Sequence, residues 1–227
     1  MMNTNMKTSS RDVMSASEEI GIIKSLPAEL RHIVDIVEPG SKTLDLGCGE
    51  GHLMKALQKL KRARVQGIEL SDVAIQECIA KGLFVYHGDL DEGLSDFSDK
   101  CMDYVILTNT IQVLQRPDKL IIEAARIGRK AVISIPNFGY WRVRFQLMFW
   151  GSMPKTKGLP YEWYDSPNIH LTTIHDFRRF CGEHGLEIVN EIDGVNGIEE
   201  SKSVKINPNF FAEYAIFVLQ EMNKESK

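Results

Sequence analysis

Three apolar runs in the first half of the chain finish at or beside an acid: TLDLG holds Asp45, RVQGIEL holds Glu69 and LFVYHGD ends on Asp89. Straight after the first run the chain reads LDLGCGEG, residues 44 to 51, with glycines at 47, 49 and 51. Glycines in such a turn allow positive φ and bring backbone amides up to a ligand with no Cβ in the way, at the start of the next helix. Glu69 stands 20 residues beyond Gly49. Nucleotide-binding α/β proteins present an acid to a ribose at that distance, because one carboxylate accepts both hydroxyl hydrogens. Three acids around one glycine turn suit a ligand with a ribose and an adenine amino group. They oppose a pyrophosphate, and so disfavour a dinucleotide-dependent oxidoreductase.

A second group of chemically capable residues sits in LPYEWYDSPNIHL, residues 159 to 171, a stretch with two prolines and no helical or strand period. His170 can orient a substrate or act as a base near neutral pH, although a lone histidine more often serves as a hydrogen-bonded structural residue. Tyr161, Trp163 and Tyr164 can cage a cation or stack on a planar ligand. Equally, they can cover a sheet edge. Asp165 and Asn168 favour turns held by their own side chains. Tyr161, Tyr164, Asn168 and His170 are the candidate catalytic groups. His170 and His175 lack the spacing of a metal pair on a helix and have no third ligand nearby, so no metal is expected.

The elements that must position these residues read as alternating strands and helices. Strands are expected at 43–47, 64–70, 83–89, 102–109 and 131–136, then at 186–193 and 212–220. The intervening helices have Leu53, Leu57 and Leu60 on one face, then Ala74, Ile75, Cys78 and Ile79, then Leu120, Ile121, Ala124 and Ile127. Ser71 is suited to cap the second of these, Pro117 to open the third and Gly128 to close it. Thr173 and Asp176 have the T-x-x-D form of a helix start with Phe177, Phe180 and Cys181 inward. This pattern predicts a Rossmann-like α/β fold: a mostly parallel seven-stranded sheet, helices on both faces, and an antiparallel C-terminal edge.

Residues 136 to 173 interrupt the alternation and carry all three tryptophans. WRVRFQLMFW within them predicts a short amphipathic helix with Val143, Leu147 and Trp150 on one face. It reads as a lid, a substrate wall or a partner-docking surface.

At 227 residues the chain has the length of one domain, read as a polar, poorly ordered tail over 1–19 and a single domain over 20–227 with its insertion at 136–173. With a net charge of −4 and interspersed signs the sequence shows no broad phosphate-binding face, so nucleic acid is not an expected partner. No stretch has the roughly 20 apolar residues of a membrane span, and no signal peptide opens the chain. Cys48, Cys78, Cys101 and Cys181 show no CxxC spacing and read as buried small hydrophobes in a reducing compartment. The expected location is the cytoplasm.

LDLGCGEG has the form of the first motif of the class I S-adenosylmethionine-dependent methyltransferase family, which the sequence resembles from about Leu44 to Pro136. The resemblance implies that Asp45, Gly47, Cys48 and Gly49 line the methionine part of the cofactor and that Glu69 takes the ribose hydroxyls. It places Leu70 in the same cofactor-binding set, Asp89 near the adenine amino group with Leu90 beside the ring, and Thr108 and Asn109 by the sulfonium. The longer stretches ILTNTIQVLQRP, PNFGYWRVRFQLMFWG and MPKTKGLPYEWYDSPNIHLTTIHDF are similar to the methionine biosynthesis MetW family, over roughly Leu26 to Val195. That similarity implies a methyltransferase-like protein binding S-adenosylmethionine or S-adenosylhomocysteine. It also implies work with a homoserine O-acyltransferase, acetyl- or succinyl-transferring, as partner or regulator. The alternative is a free-standing S-adenosylmethionine-dependent small-molecule O- or N-methyltransferase; whether turnover occurs at all is left open.

Overall fold

The computed structural model describes residues 15–156, 160–195 and 204–222. Five short apolar runs become parallel strands: β1 (Lys42–Leu46), β2 (Arg64–Glu69), β3 (Phe84–His87), β4 (Met102–Thr108) and β5 (Gly128–Pro136). With β6 (Leu186–Gly194) and β7 (Tyr214–Glu221) they form one sheet in the order β3-β2-β1-β4-β5-β7-β6. β7 runs antiparallel to both β5 and β6, which gives the expected antiparallel C-terminal edge.

β4, β5 and β7 are buried on both faces, and so read as continuous apolar runs rather than alternating ones. Successive side chains still point to opposite sides. Leu44, Leu46, Val105, Leu107, Ile133 and Phe217 join one core layer, while Tyr104, Ile106, Val132, Ile216 and Val218 join the other. The first layer is closed by α5 (Pro117–Ile127) and α7 (Ile174–Glu183), the second by α2 (Ala28–Ile36) and α3 (His52–Lys61). In α5, Leu120, Ile121, Ala124 and Ile127 are all buried behind Pro117 in the first turn. Thr173 caps α7 by accepting the Asp176 amide at 3.1 Å, with Phe177 and Cys181 inward.

Three expectations need correction. In α4 (Asp72–Ala80) only Cys78 of the expected inward face is buried, and Ile79 is 62% exposed. The cause is topological: α4 lies against β3, a four-residue edge strand that is itself largely exposed and leaves little surface to cover. The helix expected in WRVRFQLMFW forms as α6 (Trp141–Trp150), but of Val143, Leu147 and Trp150 only Val143 is buried, and Trp150 is 74% exposed. Apolar side chains lie on all sides of this helix, and among them only Val143 is buried. Finally, the polar tail expected through residue 19 gives way earlier to α1 (Ala16–Ser25), which opens on a capping box in which Ser15 and Glu18 satisfy each other's backbone amides. The remainder of that tail, residues 1–14, lies outside the described residues, as do Lys157 and Leu159.

Candidate functional site

The carboxyl ends of β1, β2 and β4 meet at the glycine turn. Gly47, Gly49 and Gly51 have φ of +73°, +52° and +76°. A Cβ on Gly47 would stand 2.8 Å from Thr110 Oγ1, and one on Gly51 would stand 2.3 Å from Leu83 Cδ1. The turn therefore needs glycine for its dihedrals and for space. Gly51 is also the residue before α3, whose first turn receives no side-chain cap. Free amides at a helix start are ready donors to an anionic or carbonyl group.

Glu69 ties this turn to β2. Its Oε2 accepts the Gly49 amide at 2.8 Å, and its Oε1 accepts the amides of Leu70 and Ser71, each at 2.9 Å. The exposed side chain of Leu70 follows it. Asp45 lies beneath, 1% exposed, and its Oδ1 has no hydrogen-bond partner among the described residues. Burial, with the Glu69 charge adding to it, pushes the Asp45 carboxyl up to about 7. The same burial raises the Cys48 thiol well above its ordinary value, so Cys48 serves as a neutral wall and not as a nucleophile. Cys78 donates to the Gly49 carbonyl at 3.1 Å from behind.

After β3, Asp89 turns the chain by accepting the Asp91 amide at 2.9 Å, and a single 3-10 turn over Leu90–Glu92 buries Leu90. Asp91 in turn accepts the amides of Gln115 and Arg116, each at 3.1 Å. That fastens the Asp89 corner to the segment following β4. Asp45, Gly47, Cys48, Gly49, Glu69, Asp89 and Leu90 thus all lie along one edge of the sheet.

β4 ends at Thr108, and Asn109 follows with φ of +51°, a strained value for a residue with a Cβ. Its amide faces Glu29 in the first turn of α2, with Nδ2 at 3.4 Å and 3.5 Å from the two carboxylate oxygens. Ser134 Oγ on β5 also donates to Glu29. Glu29 is 9% exposed, and burial, opposed by the Asn109 amide, raises it to about 7. Sequence reading missed Glu29. The available signal was its place on the inward face of AELRHIV, one turn before Ile33, where an apolar residue is the rule.

The four candidate catalytic residues are not brought together. The amides of Ile169 and His170 both donate to the Gln112 carbonyl, at 2.8 Å and 3.1 Å, which lays the end of the loop against the segment after β4. Thr110 in that segment donates to the Leu46 carbonyl and blocks the space above Gly47, so His170 is linked to the glycine turn through three short steps. His170 Nε2 and Gln112 Oε1 are both buried without a partner among the described residues. Gln112 is a second residue that sequence reading missed. Tyr161 and Asn168 line a separate cavity of about 40 Å³ with Phe138, Met153 and Trp163. Tyr164 is 71% exposed and makes an edge-to-face contact with Trp163.

Comparison with known proteins bears on the family and the fold. The family model described as methionine biosynthesis protein MetW matches residues 27–219. A bifunctional methionine biosynthesis protein MetXA/MetW from Rhodopirellula baltica is 32% identical over 213 residues; the match takes in 88% of this chain and 34% of that protein, so the chain spans about a third of its relative's length. Among solved structures, a chain of the complex between the Haloferax volcanii Trm112 methyltransferase activator and the putative methyltransferase matches with a TM-score of 0.65 at 18% identity, over 92% of this chain and 95% of that one. A possible histamine N-methyltransferase from Thermotoga maritima matches with a TM-score of 0.64 at 16% identity, over 90% and 93%. At these identities the structural matches speak for the fold. No helix among the described residues is long and apolar enough to cross a membrane.

Proposed function

This chain belongs to the methionine biosynthesis protein MetW family, and from that premise we propose that it binds S-adenosylmethionine or its demethylated product at the glycine turn and acts in methionine biosynthesis beside a homoserine O-acyltransferase. One observation carries the binding half: Asp45, almost fully buried at that turn, has a carboxylate oxygen with no partner among the described residues. A buried acceptor without a partner costs roughly 1 to 3 kcal/mol, which an ammonium-bearing ligand would recover. The other residues fit the same ligand. Glu69 offers a carboxylate to the ribose hydroxyls, Asp89 and Leu90 form the corner for the adenine, Leu70 lies exposed beside Glu69, and Gly47, Cys48 and Gly49 give a surface without obstruction. Thr108 and Asn109 close the far end. When bound, S-adenosylmethionine supplies an electrophilic methyl group on a sulfonium, so the protein's own part is binding and orientation.

Titration calorimetry with S-adenosylmethionine and with S-adenosylhomocysteine tests this half. Both are expected to bind, and Glu69→Ala is expected to weaken both at least thirtyfold. Absence of heat with either ligand would remove the reading.

The partner half is supported by the relative that joins MetXA and MetW in one chain. It is supported also by the aromatic residues on α6 and the following loop, since exposed aromatics anchor interfaces. Co-purification with the acyltransferase tests it, and an acyltransferase whose rate ignores the added protein would count against it.

A second reading, a free-standing O- or N-methyltransferase acting on a small molecule, is favoured by the unpartnered His170 Nε2 and Gln112 Oε1. Those two atoms suit an acceptor carrying a hydroxyl or amine. Transfer of labelled methyl to a metabolite extract, lost in His170→Ala with cofactor binding intact, would support that reading over the regulatory one.

A further inference from the structure

Glu29 lies outside the glycine turn and every motif discussed above, yet it is the acid most tightly built into the far end of the site. It sits in the first turn of α2, beneath Asn109 and beside Ser134, where the ends of β4 and β5 run in register as Thr108 opposite Ser134. Its two oxygens take the Asn109 amide and the Ser134 hydroxyl. A carboxylic acid placed there for stability alone is a poor choice, because burying it costs more than an apolar side chain would. Asn109 holds a left-handed backbone above it.

We infer that Glu29, acting with Asn109, is the specificity-determining residue that distinguishes a sulfonium-bearing ligand from its neutral thioether product. The inference rests on the cofactor reading above and deepens it. A carboxylate in a low-dielectric surrounding acts on a nearby cation far more strongly than one in water. The thioether carries no charge for it to act on. The start of α2 contributes positive potential from unpaired amides, which supports the ionised form of Glu29 once a cation arrives. Without one, burial keeps the proton on Glu29 to about pH 7. Proton loss and cation binding are therefore linked at this position.

Other ionisable groups stand on the elements around Glu29: Asp45 on β1, His52 on α3, Glu213 just before β7, and Arg31 and His32 on α2 itself. None of them is among the causes of its displacement, which are burial and the Asn109 amide. Asp45 titrates in the same range. Both ligands, however, carry the same amino acid end, so any effect of Asp45 appears with both and cancels in their ratio.

The experiment is calorimetry on the full chain with S-adenosylmethionine and S-adenosylhomocysteine at pH 6, 7 and 8, in buffers of different ionisation enthalpy. The preference for the sulfonium ligand is expected to rise about fivefold from pH 6 to pH 8, which is the part of a one-unit pKa displacement from about 7 that falls in this range. At pH 7 its binding should release more protons than binding of the thioether. Glu29→Gln is expected to hold the preference at its pH 6 value throughout. A wild-type preference that stays flat with pH, with equal proton release for both ligands, overturns the inference while leaving the cofactor reading in place. Silence with both ligands overturns the cofactor reading and the inference together, a distinguishable result. The wild-type measurements decide the matter even if Glu29→Gln fails to fold.

Discussion

The carboxyl edge of the sheet and the segment from Trp141 to Leu171 are built on opposite terms. At the edge, some acids are tied to backbone and others are buried: Glu69 holds three amides and Asp89 and Asp91 fasten their corner, while Asp45 and Glu29 are almost closed to solvent. In the later segment the large apolar side chains face outward, with Phe149, Trp150, Trp163 and Tyr164 all more than 60% exposed. The charges there are exposed too, as in the Lys155–Glu162 pair. Polar groups inside and aromatics outside is the reverse of what folding alone favours. Under the proposed function the edge is the side for a small ligand, and the outward aromatics are the side for a larger partner surface.

The comparison can be pressed hardest at two glycines with similar dihedrals. Gly51 and Gly151 have φ of +76° and +59°, but a Cβ on Gly51 would meet Leu83 at 2.3 Å and Cys78 at 2.8 Å, whereas Gly151 has nothing within 4 Å. Gly51→Ala is expected to lose roughly 2 to 4 kcal/mol, from left-handed strain plus overpacking. Gly151→Ala should lose only the strain, about 1 kcal/mol. Urea unfolding of both variants checks the difference, and equal losses would mean that the two turns are equally constrained.

A second effect separates the two regions by pH. The folded Asp45 carboxyl titrates near 7 against an ordinary 3.8, so the folded state keeps a proton that the unfolded state releases. Its stabilising contribution is complete below about pH 4, declines as pH rises and is gone above about 7. The slope is on the order of 1.4 kcal/mol per pH unit at most. Glu29 and Asp193 are displaced the same way and add to it. Melting temperature without ligand should therefore fall between pH 5 and pH 8. Asp45→Asn should flatten part of that fall, while Glu162→Gln in the exposed pair should leave it unchanged. If Asp45→Asn melts with the wild-type pH profile, Asp45 is ionised in the fold and the argument from its burial is wrong.

What could be read from the sequence follows the same division. Continuous apolar runs such as VILT in β4, and glycines bracketed by a strand and a helix period, have one good structural use each, so the strands, the antiparallel C-terminal edge and the glycine turn were legible. Residues whose placement depends on a distant neighbour were not. Ile79 looked inward until β3 proved to be a short edge strand, and the face shared by Val143, Leu147 and Trp150 proved to be buried only at Val143. Glu29 and Gln112 fail the same way in reverse. A glutamate on a helix or a glutamine in a loop is ordinarily solvated, and only the packing of α2 against the sheet and of the later loop against residue 112 buries them.

The smallest expected effect on stability is the one that most sharpens the contrast. Phe149→Ser with Trp150→Ser removes two exposed rings that touch mainly each other and Phe145. Surface changes of this kind move stability by about 0.5 kcal/mol or less. Val143→Ala on the same helix removes a buried side chain and should cost roughly 1 to 3 kcal/mol. If α6 is a partner surface, the double variant keeps its melting temperature and its S-adenosylmethionine affinity but no longer co-purifies with the acyltransferase. Val143→Ala should do the opposite, weakening the fold while retaining the partner. If instead the double variant melts early and holds its partner, the exposed rings stabilise the helix itself, and the division between a ligand-facing edge and a partner-facing segment fails.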